Sequence, residues 1–375
     1  FLQRQNEPSI AVSSRNPLHL LAGANDYRTV DLPGLPDGDE TGDAWQGVFK
    51  SMDGGLTWRS TLLPGYPQDK SPEGLASPNK GFKAGADPTV RAGTNGLFYY
   101  SGIVFNREDK GLGQIFVSRF IDNNNSESAD TIQYLGTGII STNTSGQLID
   151  KPWLAVDIPR PGARLCQIGS QSFPAGNVYM SYSVFLGSDT SGNPHTGIML
   201  ARSSDCGATW TLIKISESFK LNQGTVLAVS PTDGAVYVAW RQFATTNVPD
   251  GIIIAKSTDG GRSFSKGTSI ATIQPFDQGS TSVSFRTNAY PTMAIDGSGR
   301  VYVAWSQRGV GPGGDARIMA SMSSDGVNWT APGVVDQSPQ RGHQIMPAIT
   351  AAAGKLMLIF YDLREDHTIG IFSPI

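Results

Sequence analysis

Ser51-Met-Asp-Gly-Gly-Leu-Thr-Trp58 has three further copies in the chain: Ser203-Ser-Asp-Cys-Gly-Ala-Thr-Trp210, Ser257-Thr-Asp-Gly-Gly-Arg-Ser-Phe264 and the shorter Ser323-Ser-Asp-Gly-Val-Asn-Trp329. Each sets an Asp (Asp53, Asp205, Asp259 or Asp325) where its carboxylate can accept backbone N–H bonds inside a tight turn. A Gly beside it is free to take positive φ, and an aromatic residue packs beneath. The motif is a hairpin tip, and its copies lie much further apart than one hairpin requires, so each turn punctuates a larger repeated unit.

Upstream of the turns a second pattern recurs six times, a polar residue or Met, usually followed by Pro, and then a short apolar run. It begins at Glu7-Pro8, Asp87-Pro88, Lys151-Pro152, Gln223-Gly224, Tyr290-Pro291 and Met346-Pro347. A partner run follows each start: Leu18 to Ala22, Leu97 to Tyr100, Val178 to Tyr182, Val236 to Trp240, Val301 to Trp305 and Leu356 to Tyr361. Period-two alternation rich in Val, Tyr, Phe and Trp, bounded by Gly and Asp, predicts antiparallel strands. No segment carries a convincing helical period.

Third strands are expected at Gly47 to Ser51, Gln114 to Phe120, Ile198 to Ser203, Ile252 to Ser257, Ile318 to Ser323 and Ile369 to Phe372. Fourth strands are expected at Trp58 to Leu63, Thr131 to Ile140, Trp210 to Ile215 and Trp329 to Val335. Tandem four-stranded sheets predict an all-β, six-bladed β-propeller, in which radial repetition leaves few exposed edges. The blades run over about 4–80, 81–145, 146–217, 218–275, 276–338 and 339–375 of a single domain. Phe1-Leu2-Gln3 is too short to supply a missing strand to the last blade. That blade is expected to be completed by natural sequence beyond Ile375, the alternative being a three-stranded blade.

Composition agrees: Gly 44 and Pro 23 suit a turn-rich β protein, and 39% hydrophobic residues suffice for a large core. A net charge of -3 gives no sign of a nucleic-acid partner. There is no transmembrane run, and a mature secreted protein would have lost its signal peptide. In a propeller, the first-to-second loop and the third-to-fourth turn of one blade share a face, so Cys166 and Cys206 of the third blade should meet. Such a bridge contributes roughly 3–4 kcal/mol in the chain-entropy model. It places the protein in an oxidising compartment, secreted, cell-surface or periplasmic. The alternative is two unpaired thiols.

The Ser-x-Asp-x-Gly-x-Thr-Trp turns resemble the Asp-boxes, or BNR repeats, of the sialidase-like propellers, and the whole chain fits that superfamily. Gly85-Ala-Asp-Pro-Thr-Val90, Asp150-Lys-Pro-Trp153 and Phe285-Arg-Thr-Asn-Ala-Tyr-Pro291 are similar to a secreted bacterial branch of it. The resemblance implies that the functional face lies opposite the turns, where first strands begin and second strands end. Strand starts there contribute Asn6, Glu7, Asp87, Asp150, Lys151, Gln223, Arg286, Tyr290, His343 and Gln344. Strand ends contribute Arg107, Arg241, Arg308, Asp362 and Arg364.

Guanidinium groups in such a rim bind carboxylated or sulfated sugars in forked geometry. The ligand-binding candidates are therefore Lys151, Gln223, Arg241, Arg286, Arg308, Arg364 and Trp153. A glycosidase also needs an acid and a nucleophile or base, for which Glu7, Asp87 and Asp150 are candidates, with Tyr290 as a sialidase-type nucleophile. The competing reading has these groups pairing with one another. Where true sialidases carry Arg-Ile-Pro this chain has Asn6-Glu7-Pro8, with Arg4 nearby, and where they carry a nucleophilic tyrosine in the last blade it has His343-Gln-Ile-Met-Pro347. Cleavage of sialic acid is therefore not expected.

No cofactor is expected: His19, His195, His343 and His367 show no ligand spacing for zinc. Asp39, Glu40 and Asp43 offer oxygen ligands for Ca2+, although a solvated acidic loop is the favoured account of them. Trp240 and Trp305 occupy equivalent strand ends and read as framework. Two functions stay open. One is recognition, with or without cleavage, of extracellular anionic glycans; the other is a non-catalytic module that binds an extracellular protein or polymer.

Overall fold

The computed structural model of the chain describes residues 5–30, 43–107, 112–124, 130–143, 147–169, 171–188, 192, 194–216, 220–278 and 286–365. Strands β1 (Gln5–Val12), β2 (Leu20–Asp26), β3 (Trp45–Ser51) and β4 (Arg59–Leu62) form the first sheet, in sequential antiparallel order. After a five-residue helix α1 (Pro72–Ala76), β5 (Ala84–Ala92), β6 (Leu97–Phe105), β7 (Gly113–Asp122) and β8 (Ile132–Thr142) repeat the arrangement. In the third sheet a small hairpin, β10 (Leu165–Ile168) and β11 (Gln171–Pro174), interrupts the meander of β9 (Leu148–Val156), β12 (Val178–Ser188), β13 (Pro194–Ser203) and β14 (Thr211–Lys214).

The fourth sheet comprises β15 (Asn222–Val229), β16 (Val236–Gln242), β17 (Gly251–Ser257) and β18 (Thr268–Thr272), and the fifth β19 (Thr292–Ile295), β20 (Val301–Gln307), β21 (Arg317–Ser323) and β22 (Gly333–Val334). The last described pair is β23 (Gln344–Ala352) with β24 (Lys355–Asp362), and the expected strand from Ile369 to Phe372 lies outside the described residues. These sheets are the blades of a six-bladed β-propeller. The described residues fall into two compact units, one within Phe1–Ser188 and Met199–Ile213, the other within Asp189–Ile198 and Lys214–Ile375.

Strand β6 shows why blades stack in the first unit. Alternate side chains of a strand point to opposite faces. Phe98, Tyr100 and Val104 join Leu21, Trp45, Val48 and Phe116 in one core. Leu97, Tyr99 and Ile103 join Leu154, Val178, Met180 and Tyr182 in another. The strand is thus apolar on both faces, and each large side chain that it buries contributes about 1.5–3 kcal/mol.

The four Ser-x-Asp turns share one hydrogen-bond set. In the first, Ser51 Oγ donates to Asp53 Oδ1 (2.8 Å), which also accepts the Thr57 N–H (2.9 Å), while the Thr57 hydroxyl donates to Oδ2 (2.5 Å). Asp205 and Asp259 are held in the same way, and at Asp325 the Asn328 side-chain amide replaces the hydroxyl as donor to Oδ2. The hydrogen bonds from Thr57 lead those that hold the Asp53 carboxyl at about 2. Cys166 and Cys206 form the expected disulfide, closing a loop of 40 residues. Cys206 has φ 55°, a left-handed conformation that Gly54, Gly260 and Gly326 supply in the other turns.

Helix α1 lies in the segment between Pro64 and Gly85, where no helical period was legible. A chain of local polar contacts builds it. Ser71 caps the Gly74 N–H (3.0 Å), Asp69 accepts from Gly65 N, Ser71 N and the Ser71 hydroxyl, and Lys80 Nζ donates to the carbonyls of Tyr66, Pro67 and Asp69 (2.7–3.0 Å).

Candidate functional site

Five of the six inner strands break register at the same place. Opposite one residue of the partner strand, each carries two: Glu7-Pro8 on β1, Asp87-Pro88 on β5, Lys151-Pro152 on β9, Gly224-Thr225 on β15 and Met346-Pro347 on β23. The first residue of every pair is left-handed, with φ of 52° at Glu7, 58° at Asp87, 51° at Lys151, 69° at Gly224 and 52° at Met346. Each is a β-bulge, which re-aims the bulged side chain. Proline suits the second position because its missing N–H is not needed where the ladder opens. The strain of a left-handed non-glycine residue is of the kind that clusters at functional sites.

In the first unit these bulges bring three of the sequence candidates together. Lys151 Nζ donates to Glu7 Oε1 (2.6 Å) and Asp87 Oδ1 (3.0 Å), and the Lys151 N–H donates to Asp87 Oδ2 (3.2 Å). Asn25, at the end of β2, donates from Nδ2 to Glu7 Oε2 (3.2 Å) and accepts the Asp87 N–H (2.9 Å). The Glu7 and Asp87 carboxyls also hydrogen-bond each other.

The two carboxyls titrate far apart. Burial, followed by the charge of Asp87, raises Glu7 to about 7 against the pull of Lys151. Burial acts upward on Asp87 too, but Lys151's charge and the hydrogen bonds from Glu7 and Lys151 outweigh it and hold the group at about 2. Burial works against the Lys151 charge, yet Asp87 and Glu7 keep its pKa well above the ordinary lysine range. Below about pH 7 the pair therefore holds one proton, chiefly on Glu7, whose side chain is 38% exposed. Asp150 stands beside Lys151, opposite Ser183, and adds to the field on the ammonium. Trp153, two residues beyond, lies under the guanidinium of Arg91 (5.0 Å).

The candidates of the second unit are engaged otherwise. Gln223 stands opposite Arg241. Arg241, expected at a ligand rim, is 1% exposed; its guanidinium grips Asp250 (2.8 and 2.6 Å) and Asp277 (2.6 and 2.7 Å) and lies 4.0 Å from the Phe243 ring centre. Tyr290 packs its ring against Gly224, where any Cβ would come within 2.1 Å, and its hydroxyl accepts from Asn288 (3.1 Å). Arg286 is exposed. Arg308 stacks on Phe276 (4.5 Å), whose ring also meets His343 (4.6 Å). Arg364 pairs with Asp362 and Asp336. Trp240 and Trp305 are buried, bonded through Nε1 to Asn222 and Gln307.

Asn25, Asp250 and Asp277 had not been singled out in the sequence. Asn25 falls in the Leu20-Leu-Ala-Gly-Ala-Asn-Asp26 run, past the expected strand end at Ala22, and the length of that run is the signal that could have found it. Of the calcium candidates, Asp43 is ion-paired with Arg107, while Asp39 and Glu40, like Arg4 and His367, lie outside the described residues. Among the described residues no cluster of three or more His, Cys, Asp or Glu side chains could hold a metal.

Solved structures share this architecture. The α-L-arabinofuranosidase of Fusarium graminearum, a GH93 protein solved with arabinobiose, superposes over 95% of this chain and 88% of its own at TM-score 0.54 and 14% identity. What the two share is the fold, a β-propeller. A protein of unknown function from Dyadobacter fermentans matches over 96% of this propeller and 91% of its own chain at TM-score 0.50 and 16% identity. The Trypanosoma rangeli sialidase aligns at TM-score 0.48 and 15% identity, and the propeller spans only 53% of that longer chain. No protein-family model and no curated protein matches the sequence.

Proposed function

We propose that the chain is a secreted, Asp-box-type propeller that recognises extracellular glycans, reading sugar hydroxyls at the cluster of Glu7, Asp87 and Lys151. The observation that carries this reading is the ammonium of Lys151 shared between two carboxyls on three adjacent bulges. Carboxylate acceptors and an ammonium donor, fixed by strained backbone and partly open to solvent, are suited to a polyhydroxylated ligand whose orientation matters. The disulfide fits an oxidising compartment, and no helix among the described residues is long and apolar enough to cross a membrane. A glycan-acting enzyme from Fusarium graminearum on the same fold supports the ligand class. Lys151 and Trp153 remain the proposed ligand contacts of the first unit; Gln223, Arg286, Arg308 and Arg364 are proposed as contacts on the second unit taken by itself, with Arg241 as a positioning residue.

Hydrolysis is the second reading, favoured by the setting of Glu7, where burial and the neighbouring Asp87 charge push the carboxyl up to about 7, toward the range of a general acid. In that case Glu7 is the acid, and Asp87, Asp150 or Tyr290 supplies the base or nucleophile. Glycosidases, however, set their carboxyl groups roughly 5–10 Å apart across the scissile bond. Glu7 and Asp87 instead meet at one ammonium, Lys151 Nζ, at 2.6 and 3.0 Å, so a cation rather than a sugar oxygen stands between them. Recognition is therefore the better reading.

A glycan array followed by a hydrolysis screen of the hits tests both readings. We expect binding that weakens in Glu7→Gln and Asp87→Asn, without turnover. Turnover abolished by Glu7→Gln would establish the hydrolase instead. A blank array would contradict both and favour a protein- or polymer-binding module.

A further inference from the structure

Beside the carboxyl cluster, three neighbouring inner strands bring together Ser9 on β1, Thr89 and Arg91 on β5 and Trp153 on β9. Thr89 and Arg91 stand two residues apart beyond the β5 bulge, and so share one face of the sheet. The Thr89 side chain is 2% exposed, and its hydroxyl has no hydrogen-bond partner among the described residues. Arg91 is half-buried; its Nη1 donates to the Val90 carbonyl (2.7 Å) and the Ser9 hydroxyl (3.4 Å), and its plane lies over Trp153. Among the described residues neither Nε nor Nη2 of Arg91 has an acceptor, and no carboxylate pairs with it.

A desolvated cation without a counterion is unfavourable, and an orphaned hydroxyl two positions away on the same strand face adds to the cost. Burial accordingly pulls the Arg91 pKa down to about 10. The nearby cluster supplies no compensation, since Lys151 balances ionised Asp87 while Glu7 keeps its proton. We propose that Thr89, Arg91 and Trp153 form a site for one compact oxyanion, a carboxylate or sulfate group. The guanidinium fork takes two of its oxygens, the Thr89 hydroxyl donates a third bond, and the Trp153 ring holds the guanidinium plane in place. The oxyanion is supplied either by a free ion or by an acidic group on a saccharide. This site goes beyond hydroxyl recognition at Glu7, Asp87 and Lys151 and does not depend on it.

Thermal unfolding of the chain is titrated with sodium sulfate and sodium acetate at constant ionic strength, for the natural sequence, Arg91→Gln and Thr89→Val. At a hundredfold excess over its dissociation constant a specific anion should raise the Tm by roughly 3–5 °C, saturably. The saturable part should vanish in Arg91→Gln and weaken in Thr89→Val. Sulfate also stabilises proteins generically, so an equal response in the natural chain and Arg91→Gln overturns the site. Should Arg91→Gln not fold, Arg91→Lys replaces it; a point charge cannot form the fork, and an undiminished response there overturns the site as well. A second arm compares uronate-bearing and sulfated oligosaccharides with their neutral counterparts. A preference lost in Arg91→Gln assigns the site to a saccharide acid group, and an inorganic response without that preference assigns it to the free ion. No response to any of these anions overturns it.

Discussion

At the residue scale the chemistry rests on one proton. Glu7 titrates near 7 in the folded chain against an ordinary 4.5, so folding favours its protonated form. That contribution to stability is complete below pH 4.5 and is lost as pH rises through 7. Glu7→Gln stays neutral throughout, so its Tm should gain on that of the natural chain between about pH 4.5 and 7, a difference that parallel pH-melting series would show. Asp87 is depressed and works in the opposite sense, its contribution present above pH 3.8 and lost as pH falls through 2. That range lies below the pH 4.5–7 window, so the slope expected there is set by Glu7. A pH-independent Tm difference would refute the shared-proton arrangement. Removing the cation is the harsher change. Lys151→Met strands ionised Asp87 without its counter-charge and should cost roughly 2–4 kcal/mol in chemical denaturation. The types and positions of Glu7, Asp87 and Lys151 were legible in the sequence, because each precedes a proline at a strand start. Their pairing stood there only as the competing reading, and choosing it required the left-handed backbone at three bulges.

At the element scale, the turns and bulges decide stability. Cys206 occupies a left-handed position at which the other turns have glycine, held there by its bond to Cys166. Cys166→Ala/Cys206→Gly should unfold later in denaturant than Cys166→Ala/Cys206→Ala, by about 1 kcal/mol, because glycine takes that φ without strain. Equal stability would mean that the backbone shifts when the bridge goes. Gly224→Ala would drive a methyl group into the Tyr290 ring at a bulge with φ 69°, and a loss of about 2–3 kcal/mol is expected in the same assay. Strands such as β16 and β20 were readable because alternating Val, Tyr and Trp has one structural meaning. The hairpin of β10 and β11, the helix α1 and strand β18 were not. They are short, and side-chain bonds such as the grip of Lys80 on three carbonyls specify the α1 segment rather than any periodicity.

At the scale of the whole molecule, six repeats of one sheet give a scaffold whose inner strands all bulge alike except β19, which starts at Thr292, after the Tyr290-Pro291 pair. Repetition makes the fold legible, because every blade restates the same pattern. The proposed function is less so, since it rests on what differs between blades: Glu7, Asp87 and Lys151 at three bulges, Gly224 and Met346 at two others. The central claim is that this difference reads a glycan. Isothermal titration of an array-identified oligosaccharide against the natural chain and Lys151→Met, both verified as folded, tests it most directly. The account predicts an affinity at least roughly tenfold weaker in the variant, the loss of about one charge-assisted hydrogen bond. Equal affinities would contradict it.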